Sequence, residues 1–155
     1  MGLMNCSFCK IDPPHPAESG GVGVDREKER IIEESEKTFV IFSNPRLTKG
    51  HLLIIPKRHI EKISELTKEE REEIFDKVIK YQELILKKIA PGCDIRINYR
   101  PFLKENKVKV DHLHIHLIPR EFNDALYKKS MIKEKEVFKN LTPQEVKEIT
   151  SKLTS

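Results

Sequence analysis

Val110-Asp-His-Leu-His-Ile-His-Leu-Ile118 alternates polar and apolar side chains with the two-residue period of a β-strand. Leu113, Ile115 and Leu117 fall on one face, which is expected to be buried, and His112, His114 and His116 on the other. Same-face residues of a strand stand about 6.6–6.8 Å apart, so the histidines form a row of roughly 13 Å. Imidazole changes charge near neutral pH, so such a row makes stability pH-dependent unless each ring is hydrogen-bonded or coordinated. Two chemistries suit it. Neutral imidazole is a zinc ligand, and histidine also attacks phosphorus to form a covalent intermediate. The row by itself leaves both open.

Outward from this strand, periodicity sets the remaining elements. Asp94 to Tyr99 (DIRINY) alternates as a half-buried strand, and Lys104 to Lys109 is a charged turn. Apolar residues at 74, 75, 78, 79, 85, 86 and 89 repeat every 3.6 residues behind a Thr67/Glu70 capping box, predicting a long helix over 67–90 that Pro91-Gly92 stops. His51 to Ile55 is an apolar run ended by Pro56, and segments 30–35 and 38–43 form a β-hairpin before the Asn44-Pro45 turn. Asp12-Pro-Pro-His-Pro16 is extended, and glycines at 20, 21 and 23 mark a loop. Thr142-Pro-Gln-Glu145 opens a C-terminal helix over 142–153. The expected class is α+β: a mostly antiparallel sheet of about five strands, one long helix and a C-terminal helix.

The 155 residues suit a single domain over 1–155, with 121–155 as a helical extension. Lys plus Arg number 29 against 25 Asp plus Glu, a net charge of +4 spread over both signs. That balance argues against a nucleic-acid polymer as partner, yet suits phosphate binding where basic residues converge. No apolar run is long enough to cross a bilayer, and no secretory signal opens the chain, so a cytoplasmic location without membrane contact is expected. Cys6 and Cys9 have metal-ligand spacing and, with Cys93, read as reduced thiols; a lone C-x-x-C is half of a tetrahedral site.

His112-Leu-His-Ile-His-Leu-Ile118 resembles the His-φ-His-φ-His-φ-φ signature of the histidine triad (HIT) family. Gly50-His51-Leu-Leu-Ile-Ile-Pro56-Lys-Arg-His59 resembles the family's Gly-His strand, and Cys6-Ser-Phe-Cys9-Lys resembles its cysteine-pair opening. The resemblance spans about residues 4 to 122. It implies a HIT-like fold, usually a homodimer, acting on nucleoside phosphates as a hydrolase or nucleotidyl transferase. His114 is then the nucleophile attacking the α-phosphorus, with its tautomer fixed by the His112 carbonyl, and His116 handles the phosphoryl oxygens and the leaving group. By the same resemblance, Cys6, Cys9, His51 and His112 hold a structural zinc ion that pins the N-terminal segment, residues 1–16, against the catalytic strand. His59 is expected to bond locally.

One family element is missing. Members acting on phosphoramidates or dinucleoside polyphosphates carry Gly-Gln-Ser/Thr before the triad, where this chain has Asn106-Lys-Val-Lys-Val-Asp111. Lys109, Lys107 or Arg100 can supply charge in its place. Asn98 matches a family asparagine near the α-phosphate, and Asn44 stands where a ribose-binding acid is common. The expected nucleotide-binding set is thus Asn44, Asn98, Lys109 and His116. The alternative is a regulatory nucleotide-binding protein that lost turnover with the Gly-Gln-Ser element.

Overall fold

The structure, a computed structural model, describes residues 6–11, 29–106, 108–134 and 136–154. The proline-rich path over 12–16, the loop over 19–25 and Lys107 lie outside the described residues. The chain divides into two compact units, Met1–Glu121 and Phe122–Ser155.

Five antiparallel strands build the first unit, in the order β1-β2-β3-β5-β4: β1 (Ile31–Glu34), β2 (Thr38–Phe42), β3 (Leu52–Pro56), β4 (Gly92–Ile97) and β5 (Ile115–Arg120). Alternation sorts their side chains onto two apolar faces. Val40, Leu52, Ile54, Ile115 and Leu117 meet the long helix α1 (Lys68–Lys88), which presents Ile74, Val78, Tyr81 and Ile85 at helical spacing. Each such side chain contributes about 1.5–3 kcal/mol on burial. Phe39, Ile41, Leu53 and Ile55 point the other way and are covered by Cys6, Phe8 and Ile11 of the N-terminal turn. The sheet therefore buries apolar side chains on both of its faces.

Thr67 caps α1, accepting from the Glu70 N–H at 3.2 Å while the Glu70 carboxylate accepts from the Thr67 N–H at 2.8 Å. The same carboxylate takes a two-pronged contact from Arg58 at 2.9 and 2.7 Å, tying the segment after β3 to the start of the helix. Lys77, buried under the β1–β2 hairpin, is neutralised by Glu73 at 3.5 Å and Glu33 at 3.8 Å and bonded to Ser35 and Thr38. Of the apolar positions expected on this helix, Phe75, Ile79, Leu86 and Ile89 stay exposed, because the sheet covers a narrower stripe than the helix carries.

The histidine strand starts later than its alternation predicts. β5 begins at Ile115, so only His116 of the triad lies within it. Pro56 ends β3, and the Leu113 N–H turns instead to the Ile60 carbonyl at 2.6 Å, drawing residues 112–114 off the ladder. Nor is the histidine face solvated: His112 is buried, His114 and His116 are half-buried, and Phe8 of the N-terminal turn packs on His112 and His114.

The second unit contains a π-helical turn (Tyr127–Met131), α2 (Ile132–Glu134) and α3 (Pro143–Thr154). Thr142 and Glu145 form the expected capping box at 2.8 and 3.3 Å.

Candidate active site and metal centre

A cavity of about 470 Å³ opens on the histidine side of the sheet, and all three triad residues line it. Asn44 of the loop after β2, Asn98 just past β4, and Lys109 of the turn before the triad reach the same cavity. The expected binding residues therefore converge. Gly50, just before His51, has a left-handed φ of 83°, and a Cβ there would meet Ile89 at 3.2 Å. His51 itself lines the cavity.

Hydrogen-bond partners assign the imidazole tautomers. His114 Nδ1–H donates to the His112 carbonyl at 2.7 Å, which leaves Nε2 as the nitrogen with a lone pair. The Leu47 N–H donates to His51 Nδ1 at 3.1 Å, so the His51 proton sits on Nε2 and is given to His116 Nδ1 at 2.9 Å. His116 accordingly keeps its own proton on Nε2. The site thus holds a neutral nucleophilic nitrogen beside a neutral N–H donor, on rings whose centroids stand 4.7 Å apart. Burial favours these uncharged forms. It lowers His51 to about 4, helped by the charges of Arg96 and His114, and His116 to about 3, helped by His114, His51 and Arg96. It lowers His114 too, against the bond to the His112 carbonyl.

A second cluster lies behind the triad: Cys6, Cys9, His59 and His112, with all four ligand atoms within 4.8 Å of one another. His112 Nδ1 stands 3.4 Å from Cys6 Sγ and 3.6 Å from Cys9 Sγ, and His59 Nδ1 stands 3.4 Å from Cys9 Sγ. In a tetrahedral zinc site with Zn–S near 2.3 Å and Zn–N near 2.05 Å, a sulfur and a nitrogen ligand are about 3.6 Å apart. These residues fit the metal. The His112 Nε2–H donates to the Pro56 carbonyl at 2.8 Å, which aims the Nδ1 lone pair at the cysteines. Burial, with Cys6 adjacent, pushes the Cys9 thiol up to about 11, so a metal must displace its proton.

This corrects the expected ligand set. His51 is not in the cluster, because both its nitrogens are taken by Leu47 and His116. The chain turns at Pro56 and brings His59 back over the cysteines. His59 is thus a metal-ligating candidate, not merely a locally bonded residue.

Two further residues carry the site without having been singled out in the sequence. Phe8, between the two cysteines, packs edge-on against His112 and His114 with centroids 5.7 and 5.2 Å away. Arg96 lines the cavity directly opposite His116 in the β4–β5 register. Its place in DIRINY, on the polar phase of the alternation, was the available signal. Lys109, by contrast, has its ammonium committed, donating to the Leu103 carbonyl at 2.6 Å and paired with Asp111.

Residues 25–123 match the family model described as HIT domain. The chain is 33% identical over 120 residues to Protein hit of Bacillus subtilis, covering 75% of this chain and 71% of that one. It is 29% identical over 120 residues to the adenosine 5'-monophosphoramidase hnt1 of Schizosaccharomyces pombe (76% and 75% covered). It is 28% identical over 103 residues to a bis(5'-adenosyl)-triphosphatase of Dictyostelium discoideum (63% and 67% covered). Among solved structures it resembles a zinc-bound histidine triad family protein of Mycobacterium smegmatis, with a TM-score of 0.59, 26% identity and 81% of each chain covered. With its five-stranded antiparallel sheet, its long helix and its histidine-lined cavity, the chain belongs to the HIT family.

Proposed function

We propose that the protein is a nucleotide-phosphate hydrolase or nucleotidyl transferase that works through a covalent nucleotidyl-histidine on His114. The observation that carries this is the His114 Nδ1–H bond to the His112 carbonyl, which frees Nε2 on a residue lining the cavity. The Nε2 lone pair forms a bond to the α-phosphorus as the bond to the leaving group breaks, and that electron pair departs with the leaving group. His116 Nε2–H donates to the oxygen where negative charge grows. Water, or another acceptor, then takes the nucleotidyl group, and the P–N electrons return to His114. Asn44, Asn98 and Lys109 line the substrate's berth.

Cys6, Cys9, His59 and His112 hold a structural zinc ion, with His112 serving the metal by its ring and His114 by its carbonyl. A bound zinc ion would fix the N-terminal turn, and with it Phe8, against the nucleophile. The protein forms a homodimer along β4, an edge strand whose Ile95 is exposed alongside Phe75 and Ile79 of α1. Its thiols are unpaired, as suits the cytoplasm, and among the described residues no helix is long and apolar enough to cross a membrane.

The test is mass spectrometry of the full chain mixed with diadenosine triphosphate or adenosine 5'-phosphoramidate, quenched without acid. An AMP adduct on His114, absent in His114→Ala, is expected. Nucleotide binding without turnover or adduct, unchanged in His114→Ala, would favour a regulatory binding protein instead.

A further inference from the structure

The cavity wall carries five basic side chains, and Arg96 differs from the rest. Arg30 donates to the Phe42 carbonyl, Lys109 is bound to Leu103 and Asp111, and Arg46 and Arg100 are exposed to water. Arg96 is half-buried, and among the described residues its guanidinium has no hydrogen-bond or ion-pair partner. A carboxylate to neutralise it is lacking for a visible reason. Asp94, two residues along the same face of β4, is held by Arg120. Asp111 is held by Lys109, and Glu61, also at the wall, forms no ion pair with Arg96. Half-burying an unpaired guanidinium is costly. An anionic ligand would provide the missing partner.

We propose that Arg96 binds the leaving group, so that the enzyme selects nucleotides whose leaving group is a phosphate or pyrophosphate anion over those whose leaving group is an amine. This rests on the reading of His114 as the nucleophile. Arg96 faces His116 across the β4–β5 ladder, on the same side of the sheet, and its positive field reaches both His116 and His51. When His114 Nε2 bonds to the α-phosphorus of a polyphosphate, the P–O bond to the bridging oxygen breaks. Its electron pair stays on that oxygen, which gains negative charge and needs no proton to depart. A fixed guanidinium stabilises that charge as it grows. When the leaving group is an amine, the P–N electron pair must capture a proton on nitrogen. A neighbouring cation opposes protonation of that nitrogen and offers it nothing in return. In this chain Arg96 therefore occupies the role left open by the absent Gly-Gln-Ser element, and it biases the site by leaving-group charge.

The full-length protein is compared with Arg96→Met, Arg96→Gln and Arg96→Lys in two measurements. In titration calorimetry with inorganic pyrophosphate, Met and Gln are expected to weaken binding roughly 10- to 100-fold, the loss of one charge-assisted bond, and Lys to recover part of it. Adenosine binding should stay within about twofold, since no charge on it is affected. In steady-state assays, the ratio of kcat/KM for diadenosine triphosphate to that for adenosine 5'-phosphoramidate should fall about 100-fold in Arg96→Met. A wild-type protein that does not bind pyrophosphate, variants that bind it as the wild type does, or an unchanged ratio would each overturn the role of Arg96. Failure of the underlying reading has a different signature: turnover without an adduct on His114, with the pyrophosphate titration still judging Arg96.

Discussion

Replacing His59 by Ala should cripple zinc binding, whereas replacing His51 by Ala should leave it intact. The structure separates the two because His59 Nδ1 stands 3.4 Å from Cys9 Sγ, while both nitrogens of His51 are engaged elsewhere. Apparent binding free energies of structural zinc sites run to about 10–16 kcal/mol, or about 2.5–4 kcal/mol for each of four ligands. Water can fill the vacated position, so the net loss falls near 3 kcal/mol, about a hundredfold in affinity. His59 is only half-buried, so the variant should still fold. Competition against a chromophoric chelator, with the metal-to-protein ratio measured by mass spectrometry, reads both affinity and stoichiometry. A His59→Ala protein that holds zinc as tightly as wild type, or a His51→Ala protein that loses it, would refute the assignment.

His51→Leu should instead release the His116 tautomer, leaving the Leu47 N–H and His116 Nδ1 without their partner and costing about 1 kcal/mol in urea unfolding. Long-range nitrogen NMR of the His116 ring should then report mixed tautomers where the wild type holds Nε2–H. Acid should destabilise the fold through the same pair, because His51 and His116 titrate near 4 and 3 when folded and near 6.5 when unfolded. Their contribution is complete above the unfolded pKa and is drawn down as pH falls from there to the folded values, by up to about 1.4 kcal/mol per pH unit for each ring. Unfolding midpoints measured at pH 7.5 and 5 check this, and the slope should shrink in His51→Leu. Ile95→Lys, on the exposed edge of β4, should convert a dimer to a monomer in light scattering, and an unaltered mass would exclude that edge as the interface.

Much of this architecture is legible from periodicity. The 3.6-residue pattern behind Thr67 and Glu70 places α1 within about a turn of its ends, because one strong cap and one Pro-Gly stop bracket it. The hairpin and β3 follow from short apolar runs closed by Asn44-Pro45 and Pro56. What alternation cannot tell is where pairing stops. Val110 to His114 has a strand's pattern, yet leaves the ladder because Leu113 finds Ile60. The cysteine cluster differs from the expected ligand set for a similar reason: His51 and His59 flank the same run, and only the path after Pro56 determines which returns to the cysteines. Alternation marks Arg96 only as a polar position of DIRINY, because its role depends on the strand register that sets it opposite His116.

His112 is used twice, once through its ring toward the cysteines and once through its main chain toward His114. Side-chain substitution reaches only the first use. A Cys at position 112 would offer sulfur in place of nitrogen while the carbonyl still accepts the His114 proton, so donor type and His114 tautomer become separately adjustable at one residue. Ligand chemistry at this position can therefore vary without disturbing the peptide group that sets the His114 tautomer.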